Sequence, residues 1–287
     1  MDISFCIVNL NAKYKLNYCL RSIPYSLQSF SYEVLIADNN SNDGSREYIL
    51  NNHPDIYWVT NLRNEGYTKA LNKLIKMSQG RYKVILNPDS ILMPNSISIL
   101  IDYLKLNKNI GIIGPKVLNK DGSFQKSCRR GLAIPSAVFS YFLGLYKIFK
   151  SNKRCTEYHL NHLDEDEINE VSGVSGSCMI IKKKVIEDIG YFDEQFFAYQ
   201  EDSDICLRAI ESGWKICYHP QAVVVHHGGK GGANSVPSKA LFEWHRSYVR
   251  YYYKHFSKDY SIIFNWFYYF IMVSKLIFSQ IVGILKR

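Results

Sequence analysis

This chain of 287 residues has no Cys-x-x-Cys pair. Its seven cysteines (Cys6, Cys19, Cys128, Cys155, Cys178, Cys206 and Cys217) are scattered, odd in number and in several cases set in apolar runs. The pattern predicts buried free thiols in a reducing compartment rather than disulfides or zinc ligands. No Gly-x-Gly-x-x-Gly follows the first apolar run and there is no Walker lysine motif, which argues against dinucleotide and P-loop chemistry. Asn9-Leu10-Asn11 offers no glycine or arginine for the triphosphate-binding loop of a nucleotidyltransferase. The N-terminus predicts no signal peptide, because Asp2 follows Met1 and the first apolar run is only strand-length.

What the chain does have is enough apolar content for a real core, 47%, and a formal net charge of +9 from 35 basic and 26 acidic residues. The length suits one large domain or a domain with a substantial extension. A basic balance favours phosphate-bearing partners: nucleotides, lipid phosphates, an anionic membrane or nucleic acid. Nucleic acid would explain the charge but not the converging acids described next, so no nucleic-acid partner is expected.

Apolar runs ending in polar clusters organise the first half. Val84-Ile85-Leu86 suits a buried strand, stopped at Asn87-Pro88-Asp89-Ser90 because Pro88 cannot donate to a sheet ladder. Strands are likewise expected at Ile3–Val8, ending at Asn9-Leu10-Asn11, at Val34–Ala37, ending at Asp38-Asn39-Asn40-Ser41, and at Ile56–Val59. Helices are expected between them, one stopping near Pro24, one following Asn64-Glu65-Gly66 and one opened by Pro94. This alternation implies βαβ crossovers and a largely parallel sheet. Parallel strands align their carboxyl ends, so the clusters at Asn9, Asp38 and Asn87 are predicted to meet in one cleft. Asp89 there suits a hard cation such as Mg2+ or Mn2+, and hence a diphosphate, although the same four residues also suit a plain turn. Asp38 suits hydrogen bonds from a nucleobase or ribose, or an ordinary turn. Asn64 and Gly66 suit a phosphate-contacting turn or a helix cap, and the cap is preferred.

In the second half, a kinked strand at Gly111–Leu118 precedes a less regular stretch, residues 128–170, in which Ile134–Phe149 reads as a lid, a membrane-facing helix or a core helix. Small residues, Val171 to Ser177, then precede a strand and would let a ligand approach the backbone closely. Glu201-Asp202-Ser203-Asp204 opens a helix. One acid is expected to cap it, but three acids within four residues exceed that need and repel unless a cation, a proton or a hydroxyl donor shares the site. A general base for a sugar hydroxyl is a sensible use. Strands at Ile216–Tyr218 and Ala222–Val225 are expected to bracket Pro220 and to end at His226-His227, where a histidine suits a metal. The glycines from Gly228 to Gly232 suggest a mobile lid. From Leu241, Arg246, Arg250, Lys254 and Lys258 recur every fourth residue among tyrosines. Ile262–Leu285 then gives 24 residues with one charge, Lys275. That exceeds the roughly 20 needed to span a bilayer. On a helical wheel, however, Asn265, Lys275, Ser279, Gln280, Lys286 and Arg287 share a side, with Ser274 the exception. A helix lying in the membrane interface or on a partner is preferred to a spanning one, and a soluble packing helix stays open.

Together these residues resemble the family 2 inverting glycosyltransferases with a GT-A fold, in particular the rhamnosyltransferase-like branch. The likeness runs from about Ile3 to Gly229. It rests on Ile7-Val8-Asn9-Leu10-Asn11, Asp38-Asn39-Asn40-Ser41-Asn42-Asp43-Gly44-Ser45, Asn64-Glu65-Gly66, Leu86-Asn87-Pro88-Asp89, Gly114-Pro115-Lys116, Asp121-Gly122-Ser123, Phe192-Asp193-Glu194, Glu201-Asp202-Ser203-Asp204 and Val225-His226-His227. It implies an α/β fold with a mixed, mostly parallel Rossmann-like sheet flanked by helices. It divides the chain into a catalytic domain over 1–235 (nucleotide-sugar half about 1–118, acceptor half about 119–235) and a basic, aromatic helical extension over 236–287. It implies inverting transfer from a nucleoside-diphosphate sugar, with dTDP-rhamnose and UDP-hexoses both open as donor. Val8, Asn9, Leu10, Asn11, Asp38, Asn40, Asn64, Gly66, Asn87 and Asp89 would bind that donor. Asp89 would match the last acid of the family's Asp-x-Asp metal motif, with Asn87 replacing the first, and His226 would complete a Mg2+ or Mn2+ site. Asp202 would match the catalytic base, with Glu201 beside it. The acceptor expected is a glycan, lipid-linked through a polyprenyl chain, met by a cytoplasmic enzyme held peripherally on the inner membrane face through 241–287. A sugar nucleotidyltransferase and a non-catalytic sugar- or membrane-binding module are the alternatives.

Overall fold

The structure, a computed structural model, describes residues 1–149, 152–228 and 237–285. The stretch from Gly229 expected to form a lid, and the terminal Lys286 and Arg287, lie outside these residues. The first half alternates as its apolar runs dictate: β1 (Ile3–Asn9), α1 (Lys13–Ser26), β2 (Tyr32–Asp38), α2 (Ser45–Asn52), β3 (Tyr57–Thr60), α3 (Tyr67–Met77), β4 (Tyr82–Leu86), the short β5 (Ser90–Leu92), α4 (Ser96–Leu106) and β6 (Ile110–Leu118). α1 continues two residues beyond Pro24, and α4 starts after Asn95 in the left-handed region rather than at Pro94. The second half carries β7 (Arg129–Arg130), α5 (Pro135–Phe142), α6 (Leu145–Ile148), α7 (Lys153–Thr156), β8 (Asn169–Val171), β9 (Gly173–Val174), β10 (Cys178–Lys182), α8 (Lys183–Ile189), α9 (Glu201–Glu211), β11 (Lys215–His226), α10 (Pro237–His255) and α11 (Ile262–Leu285).

One mixed sheet runs β3-β2-β1-β4-β10-β6-β11-β5, with β8 added on β11. The four strands from β3 to β4 are mutually parallel, as are β6 and β11. β10 is antiparallel to both β4 and β6, and β5 to β11. The parallel register sets Asn9 beside Asp38 and Ile7 beside Leu86, so the polar ends of β1, β2 and β4 share one edge. The two short strands expected on either side of Pro220 are instead one strand, β11, whose register with β6 shifts between His219 and Val223. A proline has no N–H for a ladder, and a register shift is where a sheet tolerates it.

Apolar side chains of α1 and α4 cover one sheet face, and those of α3, α8 and α9 the other. All seven cysteines are unpaired, six of them buried. A third cluster joins α5 to α10 and α11 through Ala137, Val138, Tyr248, Tyr251, Tyr252, Tyr268 and Met272. The Tyr252 and Tyr268 rings stack at 3.9 Å between centroids. The residues Ile134–Phe149 are thus two short helices rather than one, and α5 packs inward against the C-terminal pair.

α11 docks by a side that combines Tyr268 and Met272 with the polar residues of the wheel. Asn265 accepts from the Tyr252 hydroxyl and donates to the Ser257 carbonyl, Lys275 sits over the Phe142 ring, and Gln280 donates to the Ser238 carbonyl. Its apolar side is bare, with Ile263, Trp266, Phe270 and Phe278 each 68–79% exposed. Three members of the basic stripe of α10 are engaged by protein groups. Lys254 is paired with Asp193 and Asp204, Arg246 with Glu243, and Arg250 donates to the Gln195 carbonyl.

Candidate active site

Side chains at the ends of β1, β2 and β3 are laced together by hydrogen bonds. Asn9 Nδ2 donates to Asp38 Oδ1 at 2.7 Å and to Ser41 Oγ at 3.1 Å, and the Ser41 N–H and Oγ–H both donate to the Asp38 carboxylate. Asn39 Nδ2 reaches the Gly66 carbonyl and Asn61 Nδ2 reaches Asn39 Oδ1. Gly66 stands at φ +93°, and a Cβ there would lie 2.7 Å from the Phe197 ring, so only glycine lets α3 start this close to the loop before α9.

These strand ends floor a cavity of about 460 Å³. Val8, Leu10, Asn64, Asn87, Asp89, Glu201, Asp202 and His226 all line it, so carboxylates 113 residues apart in sequence, Asp89 and Asp202, face one space. The other expected donor-binding residues do not line it. Asp38 and the neighbouring Asn39 are each 3% exposed; the Asp38 carboxylate is engaged by Asn9 and Ser41, and Asn39 is the one of the two that lines the cavity. Asn9 is fully buried beneath the floor, Asn11 holds the backbone of Asn42, and Gly66 works through its backbone. Asn40 stands in the left-handed region at φ 65° and is also absent from the lining. Asp38, Asn9, Asn11, Asn40 and Gly66 therefore shape the floor rather than form its surface.

At one end, β11 lies antiparallel to β5 with His226 opposite Ser90, which brings the imidazole to Asp89. His226 Nε2 is 3.2 Å from Asp89 Oδ1 and 3.3 Å from Asn87 Nδ2. Gln125 accepts from Nδ1 at 3.0 Å, and its own amide is oriented by Nε2 donating to Asn119. With Gln125 accepting from Nδ1, Nε2 is left facing a carboxylate oxygen, and unprotonated it would be a second acceptor there. Two acceptors at that distance call for a cation or a proton between them. Burial pushes the Asp89 carboxyl up, but the His226 hydrogen bond and the His226 and Lys15 charges outweigh it, so the carboxyl is held below its ordinary range. Among the described residues no group of three or more His, Cys, Asp or Glu side chains converges. The pair Asp89 and His226 fits a Mg2+ or Mn2+ ion that takes its remaining ligands from water and phosphate oxygens, the usual way such ions are held beside nucleotides. Gln125, which holds the histidine, carried no signal in the sequence.

At the other end, α9 begins without a side-chain cap. Tyr199 and Gln200 both lie in the left-handed region, at φ 68° and 62°, and Gln200 occupies the capping position. The expected carboxylate cap is therefore absent, and all three acids fall in the first turn. Two contacts pin this unusual backbone: the Tyr67 N–H to the Phe197 carbonyl at 2.7 Å and Ser247 Oγ to the Ala198 carbonyl at 2.7 Å. Asp204 is fully buried and turned toward α10, where Lys254 and His255 meet it alongside Arg208. Burial raises its carboxyl, and the His255 bond, the Arg208 charge and Lys254 reverse this and hold it at about 2.

Asp202 faces the cavity and is paired to Arg130, Nη2 to Oδ2 at 2.5 Å. Its Oδ2 also accepts from the Gly176 N–H at 3.1 Å, one of the small residues before β10, and Oδ1 from the Ser203 N–H at 2.8 Å. Arg130 comes from the irregular stretch 128–170, where nothing in the sequence pattern distinguished it. The wall beside it is aromatic: Tyr141, Tyr158, Trp244 and Tyr248. Trp244 and Tyr248 belong to α10, so residues past 236 help to build the cavity.

A family model described as "Glycosyltransferase like family 2" matches residues 2–252. That reaches well into α10, beyond the Gly229 limit drawn from motifs. The chain is 29% identical over 225 residues, 75% of its length and 72% of the relative's, to N-acetylglucosaminyl-diphospho-decaprenol L-rhamnosyltransferase of Mycobacterium tuberculosis. It is 28% identical over 212 residues to the low-salt glycan biosynthesis hexosyltransferase Agl10 of Haloferax volcanii, covering 72% of this chain and 61% of that one. Among solved structures it is similar in fold to the mannosyltransferase PcManGT from Pyrobaculum calidifontis in complex with GDP-Man and Mn2+. There the TM-score is 0.58 at 15% identity, over 88% of this chain and 64% of that one. It is likewise similar to S. aureus TarS 1-349 in complex with UDP, with a TM-score of 0.56 at 13% identity, over 87% of this chain and 65% of that one. The chain thus spans slightly less than two thirds of these solved chains.

Proposed function

The chain belongs to the glycosyltransferase family 2, and from that premise we propose an inverting transfer of rhamnose or another hexose from a dTDP- or UDP-sugar to a hydroxyl of a lipid-linked glycan. One observation carries this reading: Asp89, His226 and Asp202 all line one cavity, of a size that suits an activated sugar.

The donor's diphosphate is assigned to the end where Asp89, His226 and Lys15 meet. Asp89 and His226 would hold the divalent cation, which when bound offsets the negative charge of the departing nucleoside diphosphate. Lys15, 3.6 Å from Asp89, adds a fixed positive charge there. Asn39 and Asn64, with Val8 and Leu10, are left to face the nucleoside. The acceptor is assigned to the side of Trp244 and Tyr248, whose ring faces suit a sugar's C–H surface. Its hydroxyl oxygen attacks the anomeric carbon from the face opposite the diphosphate. The bond from that oxygen to carbon forms as the bond from carbon to phosphate oxygen breaks. The hydroxyl proton passes to Asp202, and the electron pair leaves with the nucleoside diphosphate. A single displacement inverts the centre without a covalent enzyme intermediate.

The bare side of α11 supports peripheral contact with the cytoplasmic face of the cell membrane, where a polyprenyl-linked acceptor would be anchored. Because the helix is docked along α10 and α5 by the side that carries Tyr268 and the polar residues, it is read as lying in the interface beside the domain. Screening nucleotide sugars for thermal stabilisation, then for nucleoside diphosphate release, tests the function. Release that rises severalfold only when a lipid-linked glycan is added is expected. Release of sugar-1-phosphate, or no response to any nucleotide sugar, would refute it.

A further inference from the structure

We propose that Arg130 decides which of two adjacent carboxyls keeps a proton: it holds Asp202 as the carboxylate and leaves Glu201 as a neutral hydroxyl donor facing the cavity. This rests on the assignment of Asp202 as the base and adds a division of labour within the acid pair. Asp202 receives three donors, from Arg130, Gly176 and Ser203, and each favours its charged form. Glu201 lines the same cavity, is 7% exposed, and its Oε2 finds no hydrogen-bond partner among the described residues. Two carboxylates on consecutive residues at a buried helix start repel each other, and the charge is held at lower cost on the one that receives donors. Burial, followed by the Asp202 charge, pushes the Glu201 carboxyl up to about 8.

The surroundings leave that choice to Arg130. Tyr67 of α3, Tyr199 before α9, Tyr248 of α10 and Cys206 of α9 are all pushed up by burial and stay neutral. His159 is pushed down to about 4, by burial first and then by Arg130, and is neutral as well. Tyr158 completes the ring of groups around the guanidinium. Asp204 is an anion, but Lys254, His255 and Arg208 close it off on the far side of the helix. Among the described residues Arg130 is thus the cation paired with Asp202. A neutral Glu201 has an O–H to give to a substrate oxygen, and an ionised Asp202 is free to take the acceptor's proton.

Two measurements test this. Infrared spectra near neutral pH should show a protonated carboxylic acid band that disappears in Glu201→Gln; in Asp202→Asn, which removes the neighbouring charge and leaves Arg130 unpaired, the band should be lost at a lower pH than in the parent. A band that survives Glu201→Gln, or no such band, overturns the proposal whether or not Asp202 proves to be the base. In pH profiles of kcat/KM, Arg130→Gln should move the acid limb upward by about one unit or more, roughly a tenfold loss below it. Arg130→Lys should keep the limb near its original place, and Glu201→Gln added to Arg130→Gln should bring it most of the way back. A uniform loss at every pH in Arg130→Gln, with the limb unmoved, means Arg130 only supports the fold or binds an anion. Near-parental turnover by Asp202→Asn instead sinks the assignment of the base, and the spectra still decide where the proton sits.

Discussion

Replacing Trp266 and Phe270 with glutamine should detach the protein from lipid without harming its fold. Both rings stand on the bare side of α11, one turn apart and each 71% exposed, so neither change opens a cavity. A buried aromatic side chain removes about 150–250 Å² from water, so at this exposure the pair offers roughly 280 Å² to a bilayer. At about 25 cal/mol per Å² that is worth roughly 7 kcal/mol, and about 3 kcal/mol if half the area reaches the acyl region. Partition onto vesicles should then fall about a hundredfold. Co-sedimentation with vesicles of bacterial lipids reads this directly, and melting curves verify that the fold is kept. Because Arg246, Arg250 and Lys254 are engaged within the domain, binding should also weaken only modestly as salt rises. A double variant that sediments like its parent would show that the bare helix face is not what meets the membrane.

Three further outcomes are expected. Asp202→Asn should lower turnover by about 10²–10⁴-fold, the usual worth of a general base, while nucleoside diphosphate affinity changes little. Chelation of divalent cations should suppress transfer, Mn2+ or Mg2+ should restore it, and His226→Ala should raise the metal concentration needed; full activity in the presence of chelator would refute a divalent cation at Asp89 and His226. Asp204, held near 2 against an ordinary 3.8, contributes stability that is complete above about pH 4 and is lost as pH falls through about 2. The shift corresponds to roughly 2 kcal/mol. Asp204→Asn should therefore be less stable in denaturant near neutral pH, with the two curves converging in strong acid.

Much of the framework was legible because apolar runs and their terminators are local. Val84–Leu86 followed by Pro88 located the end of β4 and, with it, Asp89 at the sheet edge. The same alternation correctly set the ends of β1, β2 and β4 side by side. Long-range partners were what the pattern could not supply. Arg130 lies 72 residues before Asp202 in an irregular stretch, and Gln125 acts on a histidine 101 residues away. Asp38 looked available because a carboxylate at a strand end usually is, but Asn9 and Ser41 engage it, and Asn39, equally buried, is the neighbour that lines the cavity. The acids of α9 suggested a cap, whereas the backbone before them adopts two left-handed residues that no capping rule anticipates. For α11 the wheel separated the two faces correctly. Which face would turn outward depended on Tyr252, Phe142 and Ser238, so the side carrying the polar residues is docked and the opposite side is bare. Of the basic repeat on α10, Arg246 and Lys254 are held in ion pairs and Arg250 on a backbone carbonyl of the domain.

A structure of the protein with a nucleoside diphosphate and Mn2+ bears most directly on the shared cavity. It should hold the ion between Asp89 and His226, the phosphates beside Lys15, the base over Asn39 and Asn64, and the space between Asp202 and the Trp244–Tyr248 wall open for an acceptor. A nucleotide bound away from Asp89, or one whose diphosphate fills the space at Asp202, would contradict that arrangement.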